Sequence, residues 1–206
     1  MKSDQIRINS QGDGIAEALL QTEKTAAYKN LNAKQTLRLR LLAEEMMGML
    51  RSIVGEKEAN YWVETEGNRF SLHLATKTKM NADLREELLK ASTSGKNAAA
   101  KGFMGMVRDI IMQMSEQDDL STTPLMMEYG YSAMDTGSFE APMGVSMHGM
   151  LYSWSLQDYR AAIQDRKEEE AEKWDELEKS ITAKLADEIK IFINGDAVEM
   201  VIEKTF

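Results

Sequence analysis

The sequence predicts an α+β fold: a two-layer α/β sandwich, with one mixed, mostly antiparallel sheet and helices on one face. Three observations predict it. Two stretches alternate apolar and polar residues with period two and carry tight-turn residues at their centres, Asn60–Thr76 and Glu188–Phe206. Several longer stretches carry apolar residues at helical spacing. The order, roughly β-α-α-β-β-α-α-(long loop)-β-α-β-β, lacks the regular βαβα alternation of a doubly wound sheet.

Gln5–Asn9 alternates and is short, as an edge strand is. Gln11–Gly14 follows as a turn. Ile15–Lys29 is helical in pattern, with Ile15, Leu19, Thr22 and Ala26 on one side. Asn32 and Gln35 have capping-box spacing and start a second helix that runs to about Val54. Its expected buried face is Leu37, Leu41, Leu42, Met46, Met49, Leu50 and Ile53, and Gly55 is the expected stop.

In the first hairpin, Tyr61, Val63 and Thr65 face one way and Trp62, Glu64 and Glu66 the other. After Gly67–Asn68, Phe70, Leu72 and Leu74 alternate with Arg69, Ser71 and His73. One face is strongly apolar and the other mixed, so helices are expected on one side only. Two further helices are expected, one from Asn81 or Asp83 through Leu89 and one over Ala98–Met114.

Residues 115–151 form a methionine-rich insertion or long loop within a single domain, 1–206. Such a length suits a lid, a partner-binding loop, or an added strand or two. Leu151–Leu156 reads as a strand, and Gln157–Asp187 as a long helix broken once. Asp165–Glu188 holds ten acids against five bases, the composition of a solvated helix face, with Ala171, Trp174, Leu177, Ile181 and Leu185 as its buried side. Ile189, Ile191 and Ile193 lead into Asn194–Gly195, a type I′ hairpin signal, and Val198, Met200 and Ile202 continue the alternation. No internal repeat is evident.

With 43% hydrophobic residues the chain has enough apolar surface for a core. Its formal net charge of -9 disfavours nucleic acid and anionic membrane as partners. The absence of cysteine removes thiolate chemistry and Cys-ligated zinc. No signal-peptide pattern or apolar run of 18 residues occurs, so the expected location is the cytoplasm. His73 and His148 stand far apart without metal-ligand spacing, and no metal site is expected. Of 16 methionines, 11 fall between Met80 and Met150. Methionine fills irregular cores and lines adaptable binding grooves, and both readings apply here.

Two stretches are candidates for chemistry. Lys96 and Lys101 flank the start of a helix bearing Gly102 and Gly105. "TSGKNAAAKG" is not a P-loop and "GFMG" is not a dinucleotide fingerprint. Free N–H groups at such a helix start can still meet phosphate, and two glycines can equally serve close packing. The second candidate is Glu44 and Glu45 in the apolar "LRLRLLAEEMMGML", with Gly48 thinning the next turn. A carboxylate there acts as a general base in a suitable pocket, or sits at the helix edge beside Arg38, Arg40 or Lys34.

The order of parts resembles the ATP-binding domain shared by histidine kinases and anti-sigma-factor serine kinases (the Bergerat, or GHKL, fold). "LLAEEMMGMLRSI" is similar to the family helix that carries a Glu and, four residues on, a magnesium-binding Asn. "AKGFMGMVRDII" resembles its glycine-rich phosphate segment. The resemblance implies catalytic Glu45 or Glu44, and nucleotide contacts from Gly48, Lys96, Lys101, Gly102 and Gly105. Four residues beyond Glu44 and Glu45 stand Gly48 and Met49, so the magnesium Asn has no counterpart. The expected function is therefore a non-catalytic or weakly active regulatory, protein-interaction role on that scaffold, with a protein partner on the Met-rich segment Leu125–Leu151. The alternative is an adenine-nucleotide-binding serine kinase or ATPase of the anti-sigma type, with ATP or ADP as cofactor.

Overall fold

A computed structural model describes residues 1–54, 58–77, 131–134, 151–164, 171, 175, 177–178, 180–194 and 197–206. They form an α+β sandwich. Its seven strands are β1 (Ile6–Asn9), β2 (Glu58–Glu66), β3 (Arg69–Lys77), β4 (Tyr131–Met134), β5 (Leu151–Ser155), β6 (Glu188–Asn194) and β7 (Ala197–Thr205). The sheet order is β1-β2-β3-β7-β6-β5-β4, and every described pairing is antiparallel. With them stand the helices α1 (Ile15–Tyr28), α2 (Ala33–Val54), α3 (Leu156–Gln164) and α4 (Ile181–Leu185), and residues 171, 175 and 177–178 are helical too.

The β1–α1 turn follows from its sequence. Asn9 Oδ1 accepts from the backbone N–H groups of Gln11, Gly12 and Asp13 at 3.0–3.1 Å, an Asx-type turn. Gly14 then has φ 76°, and a Cβ there would lie 2.1 Å from the Arg7 carbonyl oxygen. Only glycine fits that corner. At the head of α2 the capping box forms as expected: Gln35 N–H donates to Asn32 Oδ1 at 3.0 Å, and Asn32 N–H to Gln35 Oε1 at 2.9 Å.

One core joins helices and sheet. It holds Ile8, Tyr61, Val63, Phe70, Leu72, Ile191, Met200 and Ile202 from the sheet, with Ala18, Ala26, Leu39, Leu42, Met46 and Leu156 from the helices. Tyr61, fully buried, places its hydroxyl 2.6 Å from Thr22 Oγ1, which lies 2.9 Å from the Ala18 carbonyl. Thr22 donates to that carbonyl, so Tyr61 donates to Thr22. Burial pushes the Tyr61 phenol well up, against the opposing effect of the Thr22 bond.

Several sequence expectations need correction. α2 buries Leu39, Leu42, Ala43, Met46 and Met47, whereas Leu37 is 56% exposed. Leu37 and Leu41, four apart, share a stripe that turns toward solvent, with Leu41 half-buried, while Leu39 lies nearly opposite them and faces the core. The stripe through small Ala43 faces the core. The single break expected in the Gln157–Asp187 helix falls, among the described residues, at Ser180, which is extended and caps α4 by accepting from Ala183 N–H. The break resets the helical phase, so Leu177 is buried while Ile181 is 62% exposed and Thr182 and Ala183 face inward. Ala171 is exposed as well. The final hairpin pairs Asn194 with Ala197, so its two-residue link is 195–196, not Asn194–Gly195. The long Met-rich stretch contributes one described strand, β4, and the expected helices over 81–114 lie outside the described residues.

A repeat invisible in the sequence pattern also emerges. In the sheet, β1, β2 and β3 run from edge to centre in the same order as β5, β6 and β7, and in each half helical residues lie between the first strand and the hairpin. In each half a two-residue link joins the last two strands, Gly67–Asn68 in one and 195–196 in the other. The nine-residue strands β3 and β7 meet antiparallel at the sheet centre, with His73 opposite Val201 at their midpoint. A pseudo-two-fold axis therefore passes between these two residues.

Candidate functional site

The second face of the sheet, turned away from α1 and α2, carries the polar residues of the alternating strands. From β2 come Trp62, Glu64 and Glu66; from β3, Arg69, Ser71 and His73; from β6, Lys190 and Phe192; from β7, Glu199, Val201 and Glu203. All of these except Trp62, together with Met1, Lys2 and Thr65, line a pocket of about 590 Å³.

At its base His73 is 7% and Glu199 8% exposed. His73 Nδ1 lies 2.9 Å from Glu199 Oε1. A carboxylate offers only lone pairs, so Nδ1 carries the hydrogen and the lone pair of the neutral ring falls on Nε2. His73 Nε2 is buried and has no hydrogen-bond partner, and Thr65 Oγ1 is in the same condition. Trp62, wholly buried, stacks on the imidazole at 4.8 Å with planes 9° apart. The ring is thus held from one side by a carboxylate and across its face by an indole.

The stack continues outward. Lys2 Nζ sits 4.8 Å from the Trp62 ring centroid and 3.0 Å from Glu64 Oε1. Trp62 Nε1–H donates to the same Glu64 oxygen at 2.9 Å. Burial pushes the Glu64 carboxyl up, but the Trp62 N–H and the Lys2 ammonium together hold it below its ordinary value. Lys2 reaches this face through a β-bulge. Ile6 pairs with Tyr61, yet Lys2 pairs with Glu64, so one extra residue lies on the N-terminal strand. The added residue switches the side-chain alternation and turns Lys2 from the core side to the pocket side.

On the opposite flank Glu203 is clamped by Arg69 and by Lys190, whose Nζ lies 3.0 Å away. Burial raises the Glu203 carboxyl, and the two cations more than reverse that, leaving it depressed. The pocket therefore presents a cation–carboxylate cluster on each side of a buried His–Glu pair. An Nε2 lone pair in this frame can accept a hydrogen bond, take a proton, or bind a metal ion.

The sequence-nominated residues lie elsewhere. Glu44 is half-buried on α2 and bound at 2.9 Å by Arg40 Nε, while the same guanidinium reaches Glu23 of α1. That matches the helix-edge reading. Both carboxylates raise the Arg40 pKa further, Glu23 more strongly. Glu45 is exposed, and a Cβ at exposed Gly48 would meet nothing within 4 Å. Lys96, Lys101, Gly102 and Gly105 lie outside the described residues. Of the partner segment Leu125–Leu151, only Tyr131–Met134 and Leu151 are described.

Comparison with protein families, curated proteins and solved structures returns no match. Among the described residues, no helix is long and apolar enough to cross a membrane. Sequence reasoning passed over His73 and Glu199 because 126 positions separate them. The available signal was local: each is an ionisable residue on the non-core side of a strongly apolar strand, and neither position required one.

Proposed function

We propose that this chain is a non-catalytic regulatory domain that binds a small polar ligand on the second face of its sheet. One observation carries the reading: His73, whose buried Nε2 has no hydrogen-bond partner, stands in the wall of a pocket lined by fixed charges. A buried polar atom left unsatisfied costs roughly 1–3 kcal/mol, a cost that a ligand hydrogen bond would remove. Most of the lining stands on strands of one sheet, so the donors and acceptors are held in place before a ligand arrives. A protein partner at Leu125–Leu151 belongs to the same proposal and is supported by the methionine content of that stretch.

Backbone amide shifts, followed while polar metabolites are added, test the reading. Saturable changes centred on Arg69–His73 and Val198–Glu203 are expected. Changes that arise only on α2 would overturn it. They would favour instead the adenine-nucleotide alternative, which rests on exposed Glu45 and the open surface at Gly48.

A further inference from the structure

We infer that the outer surface of α1 and α2 is a docking site for an acidic, amphipathic segment of a protein partner. This surface lies on the other side of the sheet from the pocket, so it stands or falls independently of the ligand reading.

Charge leads to it first. The chain carries 34 acids against 25 lysines and arginines. Yet from Lys24 to Ala43 it holds Lys24, Lys29, Lys34, Arg38 and Arg40 and no acid at all. Arg40 is committed internally, to Glu23 and Glu44. Among the described residues, Lys24, Lys34 and Arg38 have no carboxylate partner. An acidic chain thus concentrates unpaired cations on one part of its surface.

Exposed apolar side chains fall in the same place. Leu20 is 48%, Tyr28 72% and Leu37 56% exposed. The opposite sides of the two helices bury Ala18, Thr22, Leu39 and Met46. Leu20, Lys24 and Tyr28 stand on one stripe of α1, and Lys34, Leu37 and Leu41 on one stripe of α2. Residues 29–32 join the helices into an antiparallel pair, and Arg40 bonds Glu23 across it. Leu20 lies one turn from Glu23 and Leu37 one turn from Arg40, so the two leucines flank that bridge. The stripes therefore run beside one another, each mixing apolar and cationic residues.

Charge complementarity selects the occupant. Acids of a partner would meet Lys24, Lys34 and Arg38. Its apolar residues would cover Leu20, Tyr28 and Leu37, as an amphipathic helix does when it lies between two others. A bare acidic tail would leave those three side chains in water. A nucleic acid or an anionic bilayer would meet the cations but also the field of a chain with net charge -9.

The test uses the whole chain, labelled with ¹⁵N. The probe is a short amphipathic helical peptide of glutamate and leucine. The comparisons are oligoglutamate, the same peptide with lysine in place of glutamate, a single-stranded oligonucleotide and phosphatidylserine vesicles. The acidic amphipathic peptide is expected to shift the Leu20–Tyr28 and Lys34–Leu41 amides saturably. It should bind at least about tenfold more tightly than any comparison, and more weakly as salt rises. Leu37→Ser should weaken it about tenfold, and Lys34→Glu with Arg38→Glu by about as much. Lys77→Glu makes the same charge change at an exposed residue of β3 and should leave binding unchanged. If the double variant fails to fold, exposed Leu37→Ser decides alone. Equal or tighter binding of any comparison would overturn the inference, as would peptide shifts centred off α1 and α2, or no peptide binding. Self-association through these helices, read by sedimentation, would overturn it in favour of a second copy.

Discussion

Trp62 lies flat against His73 from the neighbouring strand, 4.8 Å between ring centroids and 9° between planes, with the two residues directly paired in register. The indole fixes the plane of the imidazole, and Glu199 fixes its rotation within that plane. Neither constraint alone holds Nε2 in one place. Replacing Trp62 by Leu should cost about 3 kcal/mol, within the range for large-to-small core changes. It should also let the imidazole adopt more than one orientation. Urea denaturation reads the first effect, and doubling or broadening of the His73 ring signals reads the second.

Glu199→Leu should destabilise the fold by about 1–3 kcal/mol, because it leaves Nδ1 buried without an acceptor. Glu199→Gln keeps an acceptor at the same place and should cost less. The order Leu worse than Gln, measured by denaturant midpoints at constant m-value, checks the assignment of Nδ1 as donor.

Gly14 and Gly48 should respond to alanine with opposite signs. Gly14→Ala drives a Cβ to 2.1 Å from the Arg7 carbonyl in a left-handed backbone, so a loss of at least about 1–3 kcal/mol is expected. Gly48 sits within α2 and an added methyl meets nothing, so Gly48→Ala should stabilise by about 0.5–1 kcal/mol. Thermal melts of the two variants separate the cases directly.

Glu64, Glu203 and Asp187 are all held below their ordinary values. In each, burial opposes the shift, and the reversal comes from N–H donors and neighbouring cations: Trp62 and Lys2, Arg69 and Lys190, and Lys204 with the Thr205 N–H. A carboxylate depressed in the folded state contributes stability that is complete above its unfolded value. That contribution is lost as pH falls through the folded one. Stability should therefore decline below about pH 4.5, the ordinary glutamate value. Glu203→Gln should flatten the decline in a series of urea midpoints against pH.

Much of the scaffold was legible because local chemistry determines it. The Asn32–Gln35 box, the alternation of Tyr61, Val63 and Phe70, and the turn at Gly67 each involve residues a few positions apart. Leu37 and Ile181 were misread for a different reason. Which stripe of a helix faces inward depends on a partner surface and on helix breaks such as Ser180, which periodicity alone does not locate. The His73–Glu199 pair was illegible because it depends on β3 lying beside β7, a neighbour relation no local pattern encodes. Glu44 and Glu45 drew attention as acids in an apolar helix, yet Glu44 has an ordinary surface partner in Arg40. Such exposed pairs contribute only about 0–1 kcal/mol.

The central place of β7 has a consequence for how the protein is made. Residues 197–205 leave the ribosome after every other described strand, yet they are the seam that joins the two halves of the sheet. Until they emerge, the β3 edge that will receive them, Arg69 to Lys77, has no partner on that side. The nascent chain must hold an open strand edge through the synthesis of more than a hundred residues. In that interval an unpaired edge is open to pairing with another chain. Any stall or premature stop before residue 197 would release a half-sheet with this edge still bare.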